Sequence, residues 1–225
     1  MATFVPYKSF CAISLIVVSV FYLSGCVQRD TRVLSTAEAT NLAYDCEHGF
    51  RFVASVEPDH AWLFISGETI SLPRAVSASG AKFNHGANTY WSSKEEALVE
   101  YQGKAYKQCK INRKRSIWED AKLKGYEFRG VGNEPGWVLT IRNSNELNLR
   151  YAYGQESYHF SSAQKVVDKR SGITEYMASS AGHTLKVKLE GKTCNDSMAD
   201  ETYSVRVDIT LDGVTHNGCG RALRG

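Results

Sequence analysis

The stretch Leu72–Ala97, LPRAVSASGAKFNHGANTYWSSKEEA, decides how the first half of this 225-residue chain is read. It joins a turn of small residues, Ser77-Ala78-Ser79-Gly80, to an aromatic and basic segment around Tyr90-Trp91 and Lys94, and Cys46 and Cys109 enclose it at a distance. Short segments surround it. Phe50–Val56 alternates apolar with polar residues, Ala61–Ile65 is a compact apolar run, Thr69–Leu72 alternates again, and Asn88–Ser92, Ala97–Tyr101 and Lys104–Gln108 follow, with Gln102-Gly103 as a tight turn between the last two. Period-two segments at this spacing, without a sustained helical period, predict an antiparallel barrel or sandwich.

Residues 111–125 read as a boundary between two β-rich halves. Asn112-Arg113-Lys114-Arg115 is a basic run expected as a solvated linker, and Ser116-Ile117-Trp118-Glu119 has the form of a capping box, with Gly125 placed to end a helix of about two turns. Beyond it, strands are expected at 137–142, 146–151, 165–169, 174–178 and 184–190. Tyr203–Leu211 alternates cleanly, which puts Tyr203, Val205, Val207, Ile209 and Leu211 on one buried face, and Asp212-Gly213 marks a hairpin into 214–219.

The N-terminal segment is a targeting signal by composition. Lys8 precedes an apolar run from Phe10 to Leu23, about the length of a signal-peptide core and shorter than the roughly 20 residues of a spanning helix. It ends in Leu23-Ser24-Gly25-Cys26, which resembles the lipobox of bacterial lipoproteins. That resemblance implies cleavage after residue 25, lipidation of Cys26 and, since Val27 is not an aspartate, an outer-membrane anchor facing the periplasm. Residues 26–41 are polar and are expected to be a tether.

Six cysteines are present. With Cys11 in the signal and Cys26 lipidated, Cys46, Cys109, Cys194 and Cys219 remain, and in an exported protein an even remainder reads as disulfides. Of the three pairings, Cys46 with Cys109 and Cys194 with Cys219 are expected, one within each half.

Net charge is +3 overall, with +1, −1 and +3 on residues 1–41, 42–110 and 111–225, and the isoelectric point is about 8.5. No segment is basic enough to argue for nucleic acid. The six histidines lack paired ligand spacing, and no P-loop, dinucleotide fingerprint or GxSxG occurs at a strand-to-helix junction. No metal, cofactor or catalytic residue is therefore expected. Trp62, Tyr90, Trp91 and Trp137 read as core or interface.

Taken together, Tyr44-x-Cys46, Leu72-Pro73, Ser77–Phe83, Tyr90-Trp91, Glu96-Ala97 and Cys109 resemble the MliC family of membrane-bound inhibitors of C-type lysozyme, over about residues 43–110. The resemblance implies a small eight-stranded barrel tied by one disulfide, on a lipid anchor, binding C-type lysozyme and performing no chemistry. In that family the serine before the glycine and a lysine in a W-x-K-G-x-E-A segment enter the lysozyme cleft. By position the serine is Ser79, beside Gly80. The lysine position holds Ser93 and the following glycine position holds Lys94, while Phe83 stands where the family has tyrosine. Ser79, Gly80, Phe83, Ser93 and Lys94 are thus the candidate lysozyme-binding residues.

Phe128–Trp137, with its Gly132-Asn133-Glu134-Pro135-Gly136-Trp137 core, and Gly218-Cys219-Gly220-Arg221 are similar to a family of bacterial envelope domains marked by these motifs, over roughly residues 117–223. This implies a β-rich second domain. Glu134, Asp196 and Asp200 could hold a cation or a polar ligand there, but the glycines and Pro135 more simply mark loops and strand entries. A competing reading is an envelope module whose barrel does not inhibit and whose second half binds a cell-wall or small polar ligand.

Overall fold

The computed structural model describes residues 38–196 and 198–223. The signal segment, Cys26 and most of the expected tether lie outside them.

The first eight strands are β1 (Thr40–Asp45), β2 (Arg51–Val56), β3 (His60–Ile65), β4 (Glu68–Ala75), β5 (Ala81–His85), β6 (Asn88–Ser93), β7 (Glu96–Tyr101) and β8 (Lys104–Ile111). Each pairs antiparallel with the next, and β8 returns to β1 through Tyr44↔Ile111 and Asp45↔Lys110, closing a barrel. Alternate residues fill it: Phe52 and Ala54, then Ala61, Leu63 and Ile65, Leu72, Phe83, Tyr90, and Ala97 with Val99. The run in β3 resolves into this pattern, with Trp62 turned outward. Of the barrel and sandwich left open by the strand spacing, the chain adopts the barrel. Cys46–Cys109 bridges it as expected.

The second half builds a nine-stranded antiparallel sheet in the order β12-β11-β10-β9-β19-β18-β15-β14-β13. Its strands are β9 (Phe128–Asn133), β10 (Gly136–Arg142), β11 (Glu146–Tyr151), β12 (Glu156–Phe160), β13 (Gln164–Asp168), β14 (Ile173–Ser180), β15 (His183–Glu190), β18 (Val205–Leu211) and β19 (Val214–Ala222); a small hairpin, β16 (Cys194–Asp196) with β17 (Glu201–Tyr203), intervenes. The outermost strands β12 and β13 are consecutive in the chain. Residues 161–163 alone join them, a link of at most about 14 Å, so the sheet must curl until its edges approach. Its inner face holds Phe128, Trp137, Leu139, Leu149, Val187, Val207 and Ile209. The glycines of the GNEPGW and closing motifs answer to packing: a Cβ on Gly132 would stand 2.2 Å from the Trp137 indole nitrogen, and one on Gly218 2.5 Å from the same ring.

The junction differs from expectation. The helix α1 (Arg113–Leu123) starts one turn earlier than Ser116, because Asn112 is the N-cap and its side chain accepts from Arg115 N at 2.9 Å. Ser116 lies inside the helix, donates to Asn112 O and accepts from Ala43 N at 2.9 Å. The basic run is accordingly no solvated linker. Arg113 pairs with Glu95 (2.7 Å), Arg115 with Asp45 (2.8 Å), and Lys114 donates to Ala199 O. β1 begins at Thr40, within the segment expected as tether, and Asn41 donates to Asp120 of the helix. On its other side the helix sets Trp118 against Tyr203 and the Cys194–Cys219 bridge region. Tyr203 thereby leaves the alternating face assigned to it: Ser204 breaks the strand, and Tyr203 closes β17 instead.

Candidate functional site

Two connections meet at one end of the barrel. Residues 76–80 link β4 to β5, and Lys94-Glu95 turns β6 into β7. The register pairs Ala81 with Ser92, so the loop just before Ala81 and the strand end just after Ser92 are neighbours. Ser79 and Lys94 are therefore presented side by side in chain connectivity by adjacent strands.

The loop is shaped by one tryptophan and one glycine. Trp91 Nε1 donates to Ser79 O at 2.9 Å, and Ser77 Oγ donates to Gly80 O at 3.2 Å. Gly80 has φ 68°, and a Cβ there would lie 2.3 Å from Ser92 O. Only glycine combines that left-handed backbone with so close an approach to the next strand. With the backbone pulled down, the tip faces solvent: Ala78 and Ser79 are exposed, and Val76 is 99% exposed. Among the described residues the Ser79 hydroxyl has no hydrogen-bond partner.

In the neighbouring turn Lys94 has φ 54° and an exposed side chain. Its adjacent carboxylate is occupied elsewhere. Glu95 accepts from Arg113 at 2.7 Å while its carbonyl accepts from Ile111 N at 3.0 Å, so the turn is tied to the start of α1. No ion pair engages Lys94 among the described residues. Ser93, exposed, ends β6 opposite Glu96.

Phe83 does not belong to this surface. It is fully buried and stacks at 6.0 Å on Tyr90, because on β5 it faces into the barrel. Arg74 stands 5.6 Å from the Phe83 ring and donates to Pro58 O at 2.7 Å; Lys82 Nζ lies 5.8 Å over Trp91. These two cations, the Trp91 clamp and Val76 went unread in the sequence. The pairing of a tryptophan with a carbonyl twelve residues earlier has no local signature.

Residues 44–108 match the family model of the membrane-bound lysozyme-inhibitor of c-type lysozyme, MliC. The matched segment runs from the end of β1 into β8 and so takes in both loops of the candidate site, while α1 and the curled sheet lie outside it. No curated protein and no solved structure matches the chain. In the MliC-matched barrel the site offers a hydroxyl, an ammonium and an exposed aliphatic tip. Such groups can donate to carboxylates and fill a cleft.

Elsewhere, Asp196 is buried and its Oδ1 accepts from Asn133 Nδ2 (2.8 Å) and from the amides of Met198 and Ala199, whereas Glu134 and Asp200 are exposed. Asp196 is thus spent holding a loop. Its contacts do not join it to Glu134 or Asp200.

Proposed function

We propose that the chain is a lipid-anchored inhibitor of C-type lysozyme that acts by placing the Ser79 loop and the Lys94 turn in the enzyme's active-site cleft. The observation that carries this reading is the exposure of both tips, from adjacent strands, within the segment that matches MliC. Lysozyme cleaves with a pair of carboxyl groups. A serine hydroxyl and a lysine ammonium are suited donors to them, and a charge-assisted bond is the stronger of the two.

The shift of the lysine from the family position to Lys94 is compatible with that role. On a strand, a slip of one residue would turn a side chain to the opposite face. Lys94 instead occupies a two-residue turn, where its side chain is exposed. Anchoring through Cys26 at the outer membrane would hold the inhibitor where a lysozyme entering the periplasm meets its substrate. Inhibition is steric and electrostatic, and the protein performs no chemistry of its own.

A second reading rests on a cavity of about 720 Å³ lined by Asn133, Lys192, Asn195, Arg206 and Asn217, among others. A polar envelope ligand there would make the curled sheet the functional half. One assay separates the two: inhibition of C-type lysozyme on bacterial cell walls by the full chain in non-ionic detergent, with Ser79→Ala and Lys94→Ala alongside. Inhibition that weakens in both variants supports loop insertion. No inhibition by the parent chain at micromolar concentration overturns it and favours the second reading.

A further inference from the structure

The outer face of the curled sheet carries a polar cluster that lysozyme binding leaves unused. The register sets Arg129 on β9 beside Thr140 on β10, Asn148 on β11 and His159 on β12 in one row. Arg150 and Ser157 are partners in the next row. These residues line a cavity of about 470 Å³, to which α1 contributes Asp120 and its C-cap residue, Lys124.

The charges in this cavity are unbalanced. Arg129 is only 8% exposed, and its guanidinium stacks on Trp118 at 4.7 Å. It makes no hydrogen bond or ion pair with any described residue, and neither does Arg150. A guanidinium carries five N–H donors, and those of Arg129 open onto the cavity rather than being sealed from solvent. Burial first, and then the nearby Arg150, push Arg129 below the usual arginine range to about 10. Asp120 is the one carboxylate in the described lining, and it is already engaged by Asn41 (3.0 Å) and Lys124 (3.1 Å). Lys124 in turn reaches Glu38 at 2.7 Å. Two guanidinium groups therefore remain uncommitted around one cavity.

We propose that this cavity binds a small oxyanion, the phosphate or carboxylate group of a polar molecule, held by Arg129 and Arg150 and met by the hydroxyls of Thr140 and Ser157. The planar guanidinium fork matches both groups in bidentate geometry, and a bound anion supplies the acceptors that Arg129 lacks. Neither hydroxyl is engaged in a hydrogen bond among the described residues. Stacking on Trp118 holds the Arg129 plane in place before the anion arrives.

The test is isothermal titration and thermal melting of the full chain in non-ionic detergent with inorganic phosphate, citrate and glycerol 3-phosphate, against sodium chloride at matched ionic strength. Saturable binding of at least one anion with a rise in melting temperature is expected. Arg150→Gln, at an exposed position, should fold normally and weaken binding about tenfold, the loss of one charged hydrogen bond. Arg129→Lys keeps the charge without the fork and should weaken it at least as much. Glycerol 3-phosphate binding more tightly than inorganic phosphate identifies a lipid headgroup as the source; the reverse order identifies a free anion. Lysozyme inhibition should be unchanged in Arg150→Gln. Melting curves that no anion moves beyond the chloride control, or variants that bind as the parent does, overturn the proposal.

Discussion

The indole of Trp91, on β6, holds the backbone of Ser79 by a 2.9 Å hydrogen bond, while the Ser79 side chain stays free of any described partner. The loop is thus restrained through its main chain and leaves its hydroxyl for another molecule. Preorganisation of this kind reduces the ordering cost of association. Trp91→Phe keeps an aromatic ring and removes the donor. We expect faster hydrogen exchange at residues 77–80, little change in melting temperature, and about a fivefold loss of inhibition, equivalent to roughly 1 kcal/mol. Unchanged inhibition alongside faster exchange would show that restraint of the loop does not matter for binding.

Lys94 holds a left-handed backbone, φ 54°, a conformation that favours glycine. That conformation costs a residue with a side chain roughly 1 kcal/mol. Lys94→Gly should therefore raise stability by up to about that amount in denaturant titration while lowering inhibition. The opposite signs distinguish a binding residue retained at a cost from a structural turn residue. A variant that gained stability and kept full potency would remove Lys94 from the binding surface.

At Gly80 the outcome should be loss on both counts. A methyl group there meets Ser92 O at 2.3 Å on a backbone of φ 68°, so Gly80→Ala must push the loop away from β6 and break the Trp91–Ser79 bond. Destabilisation of about 1–3 kcal/mol is expected, measured by urea unfolding, together with near-complete loss of inhibition in the cell-wall assay. Parent-like potency would mean that the close approach of the loop to β6 is dispensable.

Period-two alternation made β18 readable, because half its residues face a core and the other half face away. β5 and β9 were not readable in that way. Ala81-Lys82-Phe83-Asn84-His85 has one fully buried large residue, and Phe128–Asn133 is rich in glycine because Trp137 and its neighbours occupy the space where side chains would stand. The start of α1 was misplaced for a chemical reason: Ser116 has the form of a cap, yet Asn112 caps the helix and Ser116 is taken up by Ala43 N. In the candidate site, Ser79 and Lys94 came from the spacing of a family pattern, whereas the inward turn of Phe83 depended on the register of β5. Arg129 reads like any surface arginine in a loop-like stretch. Its burial follows from α1 folding back over the sheet, which no local pattern encodes.

Tyr44 and Tyr90 meet inside the barrel, with their hydroxyl oxygens 2.9 Å apart. Burial, more than any other cause, raises both phenols above their ordinary value, and for Tyr44 the neighbouring Tyr90 adds to it. An unfolded tyrosine ionises near 10. Above that pH the unfolded chain releases protons that the folded barrel retains, so stability is intact below about pH 10 and falls as pH rises beyond it. Tyr44→Phe removes one of the two groups and should make the alkaline decline shallower in melts collected from pH 8 to 11. At neutral pH the same variant should cost about 1–2 kcal/mol, because Tyr90 loses a buried partner. The double variant Tyr44→Phe/Tyr90→Phe leaves no hydroxyl unmatched between the two rings and should recover part of that loss. A double variant whose cost equals the sum of the two single costs, with an alkaline slope like the parent's, would show that the pair contributes nothing as a pair.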